Sequence, residues 1–592
     1  MSTISEALAI AAQHHQAGRL QAAEQICRQI LQADPNQADA SHLLGVIASQ
    51  RGQPAMAVEY IGRAIRLNGN VAAFHNNLGV AFRDQGKLDE AIACYRRALE
   101  LNPDFALAHN NLGVALGDQK RPEEAAQCLR RALELKPDLA EAHYNLGGVL
   151  KDMRQWAQAA ASYRCALELN PNYAEAHNNL GNTLMAQASP EAVACFRRAL
   201  ELKPEDAETH YNLGNALKEQ WNLGEAVVCY RRALQLKPDF AEAHNNLGGA
   251  LRSQGKLDES LACYRRALEL KPDYAEAHSN LVYTQIYCPG CDAQTLLAAH
   301  RDWNQRHAAP LAKFIQPHRN DRSPNRRLRV GYISPDFRNH CQALFTVPLL
   351  AVHDHQTFEI FCYADVANPD DLTRRLRGYA DAWREIAGRT DAQIAELIRQ
   401  DQIDILVDLT MHMSRNHLLV FARKPAPLQV CWMAYPGTTG LSTIDYRLTD
   451  PYLDPPGLND DCYCEESVRL PDSFWCYDPL HHELPVSSLP AAENGYITFG
   501  CLNNFCKVNP EVLRLWARVL KVVERSRLTL LTGEGEHRRQ TLDLLAAEGA
   551  GGDRVTFVAH QPRQHYLQYY HDIDIGLDTV PYNGHTTSLD SF

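Results

Sequence analysis

Four short polar stretches carry residue types that can do chemistry. They are Ser334-Pro335-Asp336-Phe337-Arg338-Asn339-His340, Tyr435-Pro436-Gly437-Thr438-Thr439-Gly440, Gly500-Cys501-Leu502-Asn503-Asn504-Phe505-Cys506-Lys507 and Leu577-Asp578-Thr579-Val580-Pro581-Tyr582-Asn583-Gly584-His585-Thr586-Thr587. The last runs from apolar residues through a glycine turn into hydroxyls where a helix should begin. Backbone N–H groups and threonine hydroxyls at a helix start make an anion site. Lys507 adds a full positive charge from a neighbouring turn, and a lysine buried between two domains needs an anionic partner. Together these groups suit a diphosphate. His340 offers an imidazole that titrates near neutrality, the property a general base needs. The plainer reading of His340 is a turn histidine that orients loops.

Each stretch follows a segment that reads as a strand. Short β-rich runs at 328–334, 358–364, 403–409, 428–434 and 446–449 alternate with helical stretches. A second series, after loop-rich 479–494, has strands at 496–501, 528–532, 555–558 and 573–577, separated by helices around 512–523 and 538–548. Alternation of this kind predicts parallel sheets with helices on both faces. Ligands of such sheets bind beyond the carboxyl ends of the strands, so two consecutive Rossmann-like lobes would hold their ligand in the cleft between them. Asp572-Ile573-Asp574 has the spacing of an Asp-x-Asp metal motif, but its aspartates interrupt an apolar strand and read as strand-edge polarity.

The first half of the chain is repetitive. A Leu-Gly pair recurs at Leu44-Gly45, Leu78-Gly79, Leu112-Gly113, Leu146-Gly147, Leu180-Gly181, Leu213-Gly214 and Leu247-Gly248, in steps of 34 residues with one of 33. A fixed period of this length predicts an α-solenoid, and the pattern resembles tetratricopeptide repeats. In the copy 241–274, helix A ends at Gly255, helix B spans 257–270, and Pro272 stops it. The small Gly248 would let the two helices approach closely. Neither helix can bury its apolar stripe alone, so copies must stack, giving a superhelix with a concave face of A helices.

Three ladders follow the period. Asn77, Asn111, Asn145, Asn179, Asn212, Asn246 and Asn280 each precede the leucine of helix A. An amide offers both donor and acceptor, so the row could hold an extended polypeptide without reading its side chains; a solvated asparagine face is the alternative. His75, His109, His143, His177, His210, His244 and His278 are too far apart for one metal, since stacked helices lie ~8–10 Å apart, and are expected to pack between helices. Cys94, Cys128, Cys195, Cys229 and Cys263 read as small buried apolar residues. Cys288-Pro289-Gly290-Cys291 has no second ligand pair nearby and reads as a turn, with a redox pair as the alternative.

Bulk composition excludes several classes. Charged residues make up 22% and hydrophobic ones 45%, as in folded rather than disordered chains. A net charge of −12 gives no nucleic-acid surface. No apolar run approaches the ~20 residues of a membrane helix, and Met1-Ser2-Thr3-Ile4-Ser5-Glu6 lacks a signal-peptide pattern. The expected location is the cytoplasm. A homodimer through the repeats is compatible with the pattern, though no residue calls for one. The expected divisions are 1–282 for the repeats, 283–327 for a helical connector (293–314) and basic linker, 328–485 for a first lobe and 486–592 for a second.

The combination of repeats with RVGYISPDFRNH, PAPLQVCWMAYPGTTG, FGCLNNFCK and LDTVPYNGHTTSLD, in that order, resembles the O-GlcNAc transferase and SPINDLY family over essentially the whole chain. The resemblance implies a GT-B fold behind tetratricopeptide repeats. It implies inverting transfer of a sugar, GlcNAc from UDP-GlcNAc, to Ser or Thr of proteins held by the repeats; with Lys507 and the N–H groups beyond Gly584 taking up the leaving charge in place of a metal, no metal cofactor is expected. SPINDLY-like members imply fucose from GDP-fucose instead, and a repeat scaffold with an inactive catalytic remnant is the non-enzymatic alternative. By position, Lys507 would contact the donor diphosphate with Asn504 beside it. His585, Thr586 and Thr587 would bind phosphate, Asp590 the ribose, and Gln561 and Arg563 the base. His340 would be the catalytic base. Cys506 and Tyr566 stand where the animal enzyme has other residues. The family continues beyond Phe592, so the second lobe is expected to be incomplete.

Overall fold

The computed structural model describes residues 3–480 and 485–591. Two compact units divide between Asn212 and Leu213, inside the repeats, not at residue 282 where the period ends.

The first unit is built of antiparallel helix pairs, starting with Ile4–Gln16 and Leu20–Ala33. Helix B buries a stripe such as Ala91, Tyr95 and Ala98, each 0% exposed. The glycine of helix A is obligatory: a Cβ added at Gly79 would lie 2.6 Å from the ring of Tyr95. The A-to-B turn requires a left-handed residue. Gly18, Gly52 and Gly86 supply it, with φ of +72°, +69° and +73°. Lys120, Arg154 and Ala188 hold the same conformation with a side chain attached, at φ of 61°, 58° and 54°.

Two ladders differ from expectation. Most of the histidines do not pack between helices. His75 bonds the Gly69 carbonyl at 2.9 Å, and His109, His143 and His177 bond the carbonyls of Pro103, Pro137 and Pro171 at 2.9–3.0 Å. A fixed return of six residues makes the ring cap the turn before its own helix, which carries proline in all of these copies but the first. The asparagines spend one amide proton inside the array. Asn111 donates to Asn76, Asn145 to Asn110 and Asn212 to Asn178, at 3.0–3.1 Å, so only the remaining donor and lone pairs face outward. Of the repeat cysteines only Cys229 is fully buried; Cys94, Cys128, Cys195 and Cys263 are half-buried, and burial pushes the thiols of Cys94 and Cys263 up to about 11.

The second unit continues with Ala241–Ser253, Leu257–Leu270 and Ala275–Gln285. In place of another helix B, Ala293–Trp303 packs on the last of these, with Trp303 Nε1 donating to the Ala275 carbonyl at 3.1 Å. The connector is not one helix. It widens into a π turn at Asn304–Ala308 and tightens to 3-10 geometry at Ala309–Phe314, where Pro310 removes a helical donor.

Eleven strands then form two parallel sheets among the described residues. The first holds β1 (Leu328–Ser334), β2 (Phe358–Ala364), β3 (Ala382–Glu385), β4 (Ile405–Asp408), β5 (Leu428–Cys431), β6 (Tyr446–Thr449) and β7 (Glu466–Arg469), in the order β3-β2-β1-β4-β5-β6-β7. The second holds β8 (Thr498–Cys501), β9 (Arg527–Leu531), β10 (Val555–Val558) and β11 (Ile575–Gly576), in the order β10-β9-β8-β11. The two polar edge strands β3 and β7 were not legible as strands, and the expected runs at 403–409, 428–434 and 573–577 contract to β4, β5 and the two-residue β11. The helices expected at 512–523 and 538–548 begin slightly earlier, as Pro510–Val522 and Glu536–Ala547.

The strand order reverses between β1 and β4 in one sheet and between β8 and β11 in the other. Crevices at such reversals, beyond the carboxyl ends, are where parallel sheets bind ligands. One apolar core joins the last repeat to both lobes, gathering Val282, Tyr287 and Trp303 with Ile333, Tyr363 and Leu406 and with Cys506 and Tyr582. Val282, fully buried, replaces the glycine of the other repeats, since no helix-B ring presses on it here.

Candidate functional site

A cavity of about 300 Å³ opens where the two strand reversals meet. The loop after β1 contributes His340, Cys341 and Gln342; the loop after β4 contributes Met413. The turn after β8 contributes Asn504 and Lys507, and the segment after β11 contributes Tyr582, His585, Thr586, Thr587 and Asp590. Three of the four polar stretches therefore meet here, as their positions after strands suggest; of the fourth, Tyr435–Gly440, only the preceding Met433 and Ala434 reach the lining.

Lys507 ends a 3-10 turn, Phe505–Lys507, capped by Asn504, whose side chain accepts from the Cys506 N–H at 3.3 Å. Its Nζ donates to the Asn583 carbonyl at 2.6 Å and lies 4.2 Å from the centroid of the Tyr582 ring. The ammonium thus sits at the Gly584–Thr587 bend. No carboxylate pairs with it among the described residues. Burial pulls its pKa down to about 8, against the field of Asp578 and nearby thiols. His585 is held between Trp475 and Tyr582, with ring centroids 5.1 and 5.4 Å away. Burial, then the Lys507 charge, lowers its pKa to about 4, so it is a neutral imidazole.

The bend is tightly wired. Asp578 accepts from Gly584 N at 2.6 Å and from Asn503 Nδ2 at 2.8 Å, while Thr587 Oγ1 donates to Asn503 Oδ1. One of the two threonine hydroxyls and the Gly584 N–H are therefore already committed, leaving Thr586 as the hydroxyl without a hydrogen bond among the described residues. Asp590 is committed as well. Arg563 grips it with contacts of 2.5 and 3.0 Å, and Tyr477 of the first lobe donates to it. Its side chain is 1% exposed, so the carboxylate ties the lobes together here and is not poised for a ribose. Gln561 is exposed and lies outside the cavity lining.

His340 is oriented by its own loop. Asp336 N donates to Ser334 Oγ at 3.0 Å, and Gln342 Nε2 donates to the Leu409 carbonyl. Asp336 Oδ2 lies 3.6 Å from His340 Nδ1, and the Gln342 N–H reaches the same nitrogen at 3.3 Å. Burial opposes a charge on the imidazole, yet Cys341 and Asp336 outweigh it and raise the His340 pKa. The Tyr435–Gly440 turn is structural: Glu465 takes the Thr438 hydroxyl and the Thr439 N–H at 2.6 and 2.7 Å. Gly440, at φ +76°, passes so near the connector that a Cβ would lie 2.5 Å from the His300 carbonyl oxygen. Asp574 accepts the N–H groups of Ala491 and Thr498, each at 2.8 Å, which occupies one half of the Asp-x-Asp pair.

Sequence reasoning missed Tyr283, Phe345 and Trp475, which also line the cavity. Tyr283 lies on the last repeat helix, where Val282-Tyr283 replaces the usual glycine; that departure from the period was the one available signal.

Tetratricopeptide helices leading into two parallel-sheet lobes, with a cavity at both strand reversals, define the class of repeat-bearing GT-B proteins. Residues 304–486 and 487–592 match Glycosyl transferase family 41, and TPR repeat and tetratricopeptide repeat families match segments between 14 and 284. A mutant Thermobaculum terrenum O-GlcNAc transferase has a similar structure, with 37% identity and a TM-score of 0.65 over 71% of this chain and 80% of that one. The chain is 41% identical over 304 residues to the probable UDP-N-acetylglucosamine–peptide N-acetylglucosaminyltransferase SPINDLY of Petunia hybrida, covering 50% of this chain and 32% of that one. It is 33% identical over 277 residues to the similarly described SEC of Arabidopsis thaliana, covering 45% and 28%. The chain belongs to glycosyl transferase family 41. It spans about a third of the length of the curated relatives it matches. No helix among the described residues is long and apolar enough to cross a membrane.

Proposed function

We propose that this protein transfers a sugar, GlcNAc from UDP-GlcNAc, to Ser or Thr hydroxyls of polypeptides held along the repeats. The observation that carries this reading is the Lys507 ammonium, held by a carbonyl and a ring at the Gly584–Thr587 bend with no carboxylate among the described residues to neutralise it. The activities for which the relatives are named support the donor and the acceptor class.

The acceptor oxygen attacks the anomeric carbon from the face opposite the diphosphate, so the configuration inverts. One O–C bond forms, the bond from the anomeric carbon to the diphosphate oxygen breaks, and the hydroxyl proton passes to a base. Negative charge grows on the leaving diphosphate, and Lys507 with the N–H groups beyond Gly584 stabilises it in a partly dry cavity. His340 takes the proton. The Asp336 carboxylate, 3.6 Å from Nδ1, stabilises the imidazolium that forms when the proton is taken. Lys507 supplies the charge that a metal supplies elsewhere, and Asp574 is engaged by backbone, so the reaction runs without a divalent cation and EDTA leaves it unchanged. Loss in EDTA with recovery in Mn²⁺ overturns that part.

The test is calorimetric titration with UDP-GlcNAc, GDP-fucose and UDP, followed by radiolabelled transfer to a co-expressed protein. UDP-GlcNAc and UDP bind the wild type and not Lys507→Ala. A response to GDP-fucose alone moves the donor to fucose, and silence to every nucleotide overturns the enzymatic reading.

A further inference from the structure

Lys218 and Arg252 occupy the same repeat position, five residues beyond the Leu of Leu213-Gly214 and Leu247-Gly248. They are neighbours across two A helices. Gly249 stands one turn before Arg252, and a Cβ there would lie 3.9 Å from Lys218 Nζ; the glycine makes room for the ammonium. The helices are laced together by Asn246, which donates to Asn215 at 2.8 Å. Arg252 lies 5.2 Å from the centroid of Tyr283, whose ring lines the candidate active cavity. Neither cation has a hydrogen bond or an ion pair among the described residues, and Arg252 Nη1 is buried without a partner. Glu276 and Glu219 reach Lys218 only through their field. Arg252 otherwise faces Tyr264, Tyr283, Tyr287 and Cys506. Two adjacent, half-buried positive charges with no counter-charge are unfavourable, and the surplus is relieved if a ligand brings an anion.

We infer that Lys218 and Arg252 form an anion-binding step for the acceptor polypeptide, taking a carboxylate or phosphate group of that chain beside the entrance to the cavity. This rests on the acceptor reading above. The site lies in the last repeats, where the asparagine ladder reaches Tyr283, and not at the Gly584–Thr587 bend where the diphosphate is proposed to bind. A guanidinium presents a planar fork and an ammonium a movable point charge, so together they can close on one multi-oxygen anion. Substrate choice would then favour acidic or phosphorylated acceptor segments, while the asparagines hold the backbone.

The experiment uses the full chain and fluorescence anisotropy with three random twelve-residue peptide pools, differing only in one fixed residue: Glu, phosphoserine or Gln. The wild type binds the Glu or phosphoserine pool about tenfold more tightly than the Gln pool, the gain of a charge-assisted bond, and the preference shrinks with salt. The Glu and phosphoserine arms say which source the site takes. Lys218→Met/Arg252→Met removes the preference but keeps Gln-pool binding, and Lys218→Arg/Arg252→Lys retains it with an unchanged melting temperature. Equal binding of all pools by the wild type, or a preference that survives the double methionine variant, overturns the anion step. Failure of every pool to bind overturns the acceptor reading along with it.

Discussion

At the scale of single residues, two titrations should be visible. Lys507 must be cationic to hold a diphosphate, and burial lowers its pKa to about 8. A depressed lysine keeps its charge below that pH and loses it above, so donor affinity should hold at neutral pH and fall, up to tenfold per unit, as pH rises past about 8; calorimetry across pH 6.5–9.5 measures it. Lys507→Met should abolish the dependence with the affinity. His340 acts in the opposite sense. A base must be neutral, and its pKa is raised above the ordinary 6.5, so the rate should fall as pH drops through a value above that figure. Asp336→Asn removes part of the field that raises it and that stabilises the imidazolium. The acid limb of the pH–rate profile should therefore move down while kcat falls and KM changes little.

At the scale of elements, the repeat turn poses a simple problem. It demands a left-handed residue at every A-to-B junction, and Lys120, Arg154 and Ala188 meet it with a Cβ. All three are exposed, so a glycine loses no packing and relieves the left-handed backbone strain. Each change to Gly should stabilise the first unit by about 1 kcal/mol. The three are well separated and should add, which differential scanning calorimetry of the triple variant would read as a clear rise in melting temperature. An unchanged or lower value would mean that the turn tolerates these side chains without cost. Element by element, the chain was legible wherever a period or a punctuating Gly or Pro existed. The 34-residue repeat and the strand–turn–helix order around Gly584 are local signals. The edge strands β3 and β7 are short and polar, so their pairing depends on neighbours and leaves no alternation to read. The histidine ladder was misread because its partner is a backbone carbonyl six residues back, although that spacing was in plain sight.

At the scale of the molecule, the lobes are joined through a contact that no local pattern announces. Tyr477, Arg563 and Asp590 come from three remote segments and meet around one carboxylate. The resemblance implied ribose for Asp590, whereas its oxygens are spent on the partner lobe's tyrosine and on Arg563. Asp590→Ala leaves the guanidinium, 19% exposed, without its counter-charge, at a cost of roughly 3 kcal/mol. Chemical denaturation should show the loss, and donor binding should weaken with it; a stability within about 0.5 kcal/mol of wild type would mean that the lobes are held elsewhere. Of the candidate site, Lys507, His340 and the threonine bend were readable as groups following strands. Tyr283, Cys341 and the inter-lobe tie were not, because they depend on which loops the two strand reversals bring face to face.

The core shared by Val282, Tyr287, Cys506 and Tyr582 makes the final repeat unlike its predecessors. The copies of the first unit bury their stripes against one another, so one can be deleted or duplicated by recombination and the array will reseal. The final copy is moulded to side chains of both lobes and cannot be swapped for a consensus unit. Reach along a substrate can therefore be retuned by inserting or removing modules upstream, while the last module stays fixed beside the chemistry.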